Sequence, residues 1–458
     1  MSRHGTSLPE GPSPGAGAGR RLLSGALAVL AIEGLGLALT LGIQVLLARW
    51  LGTGGFGLFA YATSWLLTLT VVAKGGAEIA SLRFVAAYST TGEAAQLRGF
   101  LVWSLRRTAL GALALSAVTA AVAWALPGVA PSLLPVLWVA CCALPVDSLL
   151  EVLVAVGKGL GRSPLAQAVA QVARRVLFGG LLLVAVWVGW GVSASGAMGL
   201  YLVSGAVALV ALGALLRRIV PPAAETALAG ETTALGGETQ VWRSTTGTLF
   251  LFVLAVALIQ RLDTLFLGML RDTTEAGLYS VASRLAGLAL LGQAAINSLL
   301  APELSRLATL GEHRELERAA IRGSRLAAVW SLALGLGFDL VGPRLLGLFG
   351  PEFVAGQPAL LILLGGALVN AACGSVGHLL NMTGHSATAL RWALAALGLA
   401  ALLHLLLIPP LGHLGAATAT ALATTFWNLA LLRRVRALLG VRSAAWSWEG
   451  ASRAAGRG

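Results

Sequence analysis

The chain has 458 residues, of which 57% are hydrophobic and 11% charged, with a formal net charge of +13. A soluble domain carries roughly a quarter of its residues charged, so this composition fits lipid as the main solvent. The basic excess does not point to nucleic acid, because the residues recur in short loops between apolar runs instead of forming one patch.

In chain order, residues 1–19 are rich in Gly, Pro and Ser and predict a disordered tail. Twelve apolar runs come next, at 22–48, 58–80, 101–125, 133–156, 165–189, 195–216, 246–270, 278–301, 326–348, 358–381, 392–409 and 414–432. Each approaches the roughly 20 residues that span a bilayer, and their connections are short, so consecutive helices are expected as antiparallel neighbours. The expected fold is all-α and polytopic. The first run is too long for a signal-peptide core and lacks a cleavage site. Residues 219–244 form the one long internal polar stretch and divide the runs six and six. They read as a linker between an N-lobe at 20–218 and a C-lobe at 245–437, with a tail at 438–458.

With both ends placed in the cytoplasm, that face collects Arg20, Arg21, Arg83, Arg98, Lys158, Arg162, Arg217, Arg218, Arg306, Arg314, Arg318, Arg322, Arg391, Arg433, Arg434 and Arg436. The other face keeps little beyond Arg49, Arg271 and Arg344. This is the positive-inside asymmetry. The lobes also resemble each other: LLARWLGTGGFGLFAYATSWL from Leu46 aligns with FLGMLRDTTEAGLYSVASRLA from Phe266 when Gly57 is set on Gly277. Leu58 then meets Leu278, Phe59 meets Tyr279 and Ala62 meets Ala282. Gly92-Glu93 with Gly311-Glu312, and Gly161 with Gly384, continue the register. Both lobes begin on the same side, so the repeat is parallel, as in transporters that rock two bundles about a midplane site.

Ionisable residues at membrane depth are costly and mark function or pairing. Glu33 lies near the middle of the first run, without a basic neighbour one turn away, and is a candidate for carrying a coupling ion. Lys74 and Glu78 share a helix face, as do Asp147 and Glu151. Arg174 and Arg175 lie at mid-depth and diverge by about 100°, so one of them is expected to face a lumen. Arg261, Asp263 and Arg284 fall on the seventh and eighth runs, and Asp339 on the ninth. Two readings stay open. Lys74 with Glu78, Arg174 with Asp147 or Glu151, and Asp263 with Arg261 or Arg284 could pair internally. Alternatively, Arg261, Arg284, Lys74 and Arg174 could form a basic lumen for an anionic head group, with Glu33 or Asp263 coupling transport to an ion. Pro145 is expected to kink the fourth run.

Other motifs carry no chemistry. Gly157-Lys158-Gly159-Leu160-Gly161-Arg162 lacks the preceding strand and the GKS/T ending of a phosphate-binding loop. Cys141 and Cys142 are adjacent and Cys373 is distant, which gives neither a disulfide framework nor metal-ligand spacing. No cofactor or metal is expected.

At its hairpin loops the chain resembles the bacterial polysaccharide flippases of the multidrug/oligosaccharidyl-lipid/polysaccharide exporter superfamily. The likeness rests on Leu47-Ala48-Arg49-Trp50-Leu51-Gly52, Phe56-Gly57-Leu58-Phe59 and Leu82-Arg83-Phe84-Val85. In the second half it rests on Arg261-x-Asp263, Leu267-Gly268, Gly277-Leu278-Tyr279, Arg284-Leu285, Pro302 with Ser305-Arg306-Leu307, Thr383-Gly384-His385 and Gly415-Ala416-Ala417. Thr53-Gly54-Gly55 departs from the Pro or acidic residues that relatives often carry there. The resemblance covers roughly 22–437. It implies two six-helix lobes forming a V, an undecaprenyl-diphosphate-linked oligosaccharide as cargo moved by alternating access, and a cationic lumen. By position it makes Arg261, Asp263 and Arg284 lobe-interface residues. It further implies a bacterial inner-membrane location with both termini cytoplasmic, and as partners membrane lipids, H+ or Na+, and other polysaccharide-assembly proteins. A drug or cation antiporter on the same fold is the second reading and would need an acidic lumen. A membrane enzyme or scaffold of glycan assembly is the third, disfavoured by short outer loops.

Overall fold

The computed structural model describes residues 16–125, 131–219, 235–310, 312–382 and 386–447. Residues 1–15 of the expected tail, 220–234 of the expected linker, and Gly311 and Gly384 of the repeat lie outside them.

Among the described residues the fold is all-helical, and each of the twelve expected runs lies largely on helix. In order these are α1 (Ala16–Lys74), α2 (Ala77–Thr91), α3 (Ala94–Ala125), α4 (Leu134–Gly159), α5 (Ser163–Gln167), a π-helical segment (Ala168–Ala173), α6 (Arg174–Trp187) and α7 (Ala194–Ile219). Beyond residues 220–234 come α8 (Leu235–Ile259), α9 (Leu262–Leu270), α10 (Thr273–Thr309), α11 (His313–Gly347), a short 3-10 turn (Pro351–Gly356), α12 (Gln357–Cys373), α13 (Val376–Met382), α14 (Ser386–Leu411) and α15 (His413–Leu439). Among the described residues, eight helices are long and apolar enough to cross a membrane. The first of these folds back on itself: Gly52, at φ 66° and ψ −179°, reverses α1 in a single residue, a conformation open to glycine because it lacks a Cβ. The connection expected between the runs ending at 48 and starting at 58 is therefore helical except at this one position.

Several expected spans are broken where the sequence carries glycine or charge. Gly75 (φ 50°) and Gly76 (φ 83°) separate α1 from α2 and leave Lys74 at the break. Gly374 (φ 80°) separates α12 from α13. A turn at 260–261 separates α8 from α9. Pro145, by contrast, lies inside an unbroken α4. Its missing N–H orphans the carbonyl four residues back, and the Ser116 hydroxyl of α3 donates to that carbonyl, Cys141 O, at 2.7 Å.

The lobes meet at both ends. At the end carrying Gly52, Arg49 Nε donates to Leu348 O at 2.6 Å and Thr53 Oγ1 to Glu352 Oε2 at 3.0 Å. There Gly57 lies against Gly277: a Cβ on Gly57 would fall 1.6 Å from Thr273 O and 3.2 Å from Gly277 N. Repeats related by an axis along the bundle must bring equivalent positions together close to that axis, so two glycines aligned from sequence become a contact. The aligned pairs are also equally buried, Phe59 with Tyr279 and Ala62 with Ala282. At the opposite end, α8 begins within the expected linker. Its Trp242 is buried, packs on Phe100 and Trp103, and donates Nε1–H to the Tyr88 hydroxyl at 3.0 Å.

Residues 441–447, beyond α15, pack back on the C-lobe and serve the break after α12. Ala445 N donates to Ala372 O at 2.8 Å, Ser443 Oγ to Cys373 O at 3.2 Å, and Ser324 Oγ to Ser443 O at 2.7 Å. Carbonyls that lose their helical partners are thereby paired, as burial requires.

The Gly57–Gly277 contact yields a direct expectation. Gly57→Ala must separate the lobes at that end, at a cost of about 1–3 kcal/mol, and lowers the Tm of the purified protein. Gly54→Ala, whose Cβ meets nothing nearer than 3.8 Å, leaves the Tm unchanged. Equal melting of the two variants contradicts the contact.

Candidate functional site: a charged cavity at the lobe boundary

A cavity of about 570 Å³ opens between α1, α2, α4, the π segment, α6, α7 and α10. Its walls combine apolar Ile43, Leu47 and Phe178 with Gln44, Asp147, Glu151, Arg174, Arg175, Tyr201 and Arg284. All but Arg284 come from the N-lobe.

Two clusters neutralise charge. The Lys74 ammonium, 3% exposed, contacts both Glu78 on α2 and Glu151 on α4. Lys74 and Glu78 are four residues apart on either side of the glycine break, and Glu151 reaches the same ammonium from α4. The second cluster is centred on Asp147: Arg174 Nη2 donates to its Oδ1 at 2.6 Å, and the Tyr201 hydroxyl donates to Oδ2 at 2.8 Å. The Arg174 guanidinium also lies over the Tyr201 ring, 4.3 Å from its centroid. Of the pairings expected, Lys74 with Glu78 and Arg174 with Asp147 are present. Glu151 joins Lys74 rather than Arg174.

Two further arginines, Arg284 and Arg175, have neutral partners. With the Gln44 amide oriented so that its oxygen faces the guanidinium, Arg284 donates to it through Nη1 and, at 3.2 Å, through Nε. Arg175 donates to the backbone and side-chain oxygens of Gln171. Arg174 and Arg175 both reach the cavity wall, whereas their divergence predicted one. Arg261 caps α9 at the break after α8 and is half-buried. It lies within electrostatic reach of Glu151 across the lobe boundary and of Asp263. Arg261 and Arg284 are also near enough to repel each other.

Among the described residues, no arginine hydrogen-bonds to Asp263. It is 6% exposed and accepts from Thr264 N–H at 2.6 Å, from Thr264 Oγ1 at 3.2 Å and from the Tyr279 hydroxyl at 2.6 Å. Tyr279 continues to Thr420 Oγ1 at 3.3 Å, which meets His404 Nε2 at 3.3 Å. Each lobe thus holds a buried aspartate bonded by a tyrosine. Glu33 is exposed, on the α1 face that continues to Thr40 and Gln44 and about 10 Å along the helix from Thr40. Asp339 is exposed on α11.

Sequence reasoning did not single out Gln44, Gln171 or Tyr201, and took Tyr279 as a repeat and family position without a bond to Asp263. A signal existed: the chain has four tyrosines, and two of them hold the buried aspartates.

The model of the family described as "Polysaccharide biosynthesis protein" matches residues 22–308. The chain belongs to this family. Within it, the loop-residue resemblance to polysaccharide exporters holds. The "Probable flippase AglR" of Haloferax volcanii is 30% identical over 175 residues, covering 38% of this chain and 37% of that protein. The chain therefore matches little more than a third of that relative's length. Among solved structures, an inward-facing MATE family transporter of the MOP superfamily superposes with a TM-score of 0.69 at 14% identity, covering 91% of this chain and 99% of that one. The lipid II flippase MurJ in an inward closed conformation gives 0.66 at 12% identity, covering 90% and 87%. These likenesses establish a two-lobed, multi-pass membrane transporter fold.

Removing one partner of a buried ion pair costs about 3–5 kcal/mol, while replacing both with apolar groups is close to neutral. Arg174→Met should accordingly destabilise this family member strongly, and Arg174→Met with Asp147→Leu should recover most of the loss in a thermal melt. A single variant as stable as wild type contradicts the stapling role.

Proposed function

We propose that the protein is a flippase that moves an undecaprenyl-diphosphate-linked oligosaccharide from the cytoplasmic to the outer leaflet of the bacterial cell membrane by alternating access. The observation that carries this reading is Arg284. It is a guanidinium on the cavity wall at the lobe boundary, held by the neutral Gln44 amide and close to a second arginine, Arg261. Cations kept in a low-dielectric interior without a carboxylate are costly, and a diphosphate is the chemistry that relieves them.

The basic residues divide by partner. Arg284, Arg261 and Arg175 bind the head group. Lys74 and Arg174, already neutralised by Glu78, Glu151 and Asp147, hold the wall and tune its charge. The sugar occupies the wet cavity while the prenyl chain stays in lipid, so the polar head avoids the hydrocarbon. Lobes latched at the Gly52 end, with cavity walls running to Lys158 near the opposite end, suit a state loaded from the cytoplasm. Asp263, with neutral hydrogen-bond donors, is the coupling carboxylate for H+ or Na+, and Glu33 stands toward the cavity mouth.

A cation antiporter needs an unpaired carboxylate in its lumen. Each carboxylate lining this cavity, Glu78, Asp147 and Glu151, has a cationic partner, which favours the anionic cargo.

In vesicles reconstituted with a lipid-linked oligosaccharide, Arg284→Ala lowers translocation at least tenfold, and Arg261→Ala lowers it severalfold, at wild-type protein levels. Loss of one buried charge–charge contact costs at least about 2 kcal/mol. Unchanged translocation in the double variant overturns the head-group role.

A further inference from the structure

A second cavity, of about 1080 Å³, opens on the outer flank of the N-lobe between α3, α4 and α7. Its floor and sides are apolar, including Leu149, Leu153 and Val210, and its rim carries Arg98, Arg106, Arg217 and Arg218. No acidic residue lines it among the described residues. It lies behind the charged cavity: Leu149, Leu153 and Val156 project from the opposite face of α4 to Asp147, Glu151 and Lys158.

The surrounding surface is the kind that meets lipid. Val102 and Leu110 on α3 are 66% and 58% exposed, and Val210 on α7 is 70% exposed. Arg106 shares the face of Val102 and Leu110 and is itself exposed. It sits eight residues beyond Arg98, about 12 Å further along α3 from the helix start. A guanidinium on a lipid-facing stripe at that depth needs an anionic partner, and none is supplied by the groove. Arg217 and Arg218, at the last turn of α7 and both exposed, complete a basic rim above an apolar trough.

We propose that this groove binds an anionic glycerophospholipid of the bilayer, with its acyl chains along Leu149, Leu153 and Val210 and its phosphate between Arg106, Arg217 and Arg218. Basic pockets between membrane helices recognise lipid phosphates in this manner. The bound lipid braces α4 from behind and so supports the helix that places Asp147 and Glu151. The inference is independent of what the central cavity carries.

The test uses the full chain purified in detergent, with native mass spectrometry and thermal melts on adding phosphatidylglycerol, phosphatidylcholine or undecaprenyl phosphate. Wild type is expected to retain phosphatidylglycerol over phosphatidylcholine and to gain Tm from it. The triple variant Arg106→Leu, Arg217→Gln, Arg218→Gln loses at least tenfold in apparent affinity, while Arg344→Gln at the far end loses none. Should the triple variant fail to fold, Gly213→Leu fills the groove with the charges intact. A Cβ there meets only Leu153 Cδ1 at 3.7 Å, and the same loss is expected. Wild-type affinity in either variant, equal binding of phosphatidylcholine, or displacement of phosphatidylglycerol by undecaprenyl phosphate overturns the proposal.

Discussion

A positive charge inside a membrane bundle must be paired, hydrated or given a ligand, and the organisation of this protein depends on which option each basic residue takes. Lys74 takes two carboxylates, Glu78 and Glu151. Arg174 takes Asp147 and the face of Tyr201. These ion pairs join α1 and α2 to α4, and α4 to α6, in an environment where the hydrophobic effect contributes little between helices and polar contacts supply much of the cohesion. Arg284 and Arg175 take neutral amides. They are the charges with capacity left over, and they line the central cavity.

Local chain chemistry makes those placements possible. Lys74 ends α1 at the Gly75–Gly76 break, where it meets Glu78 on α2 and Glu151 on α4. The π-helical segment at 168–173 precedes Arg174 and Arg175, and π segments recur at functional positions because they shift the register of the helical residues after them. Close approach of glycine to glycine, at Gly57 and Gly277, brings the lobes together at one end. The aromatic cluster of Trp242, Phe100 and Trp103 holds them at the other. The Gly52 end also carries the Phe56–Phe353 ring contact within a hydrophobic cluster drawn from both lobes, so it is the more heavily packed of the two.

The membrane class, the helices and the internal repeat were legible because they depend on averages over many residues: apolar runs near 20 residues long and two copies of one loop pattern. The glycine alignment carried three-dimensional information, since the paired positions touch. Helix interruptions were less legible. Gly374 looked like any small residue in an apolar run, and its left-handed conformation answers to Ser443 and Ala445, which lie some 70 residues away. At the cavity, charge attracted attention and neutrality did not. Arg284 was readable from its depth, but the Gln44 that holds it was not, because a single amide in an apolar run has no spacing rule. Whether an arginine is stapled or open depends on what faces it from another helix, and the linear pattern does not encode that. Arg174 and Arg284 look alike in sequence and differ in partners.

The central claim is that arginines without carboxylate partners at the lobe boundary form a diphosphate site. Calorimetric titration of undecaprenyl diphosphate into the purified protein tests it most directly. Saturable binding is predicted for wild type, weakened at least tenfold by Arg175→Gln with Arg284→Gln and unaffected by Arg83→Gln on the exposed surface. Equal affinity across all three proteins, or no saturable binding by wild type, would contradict it.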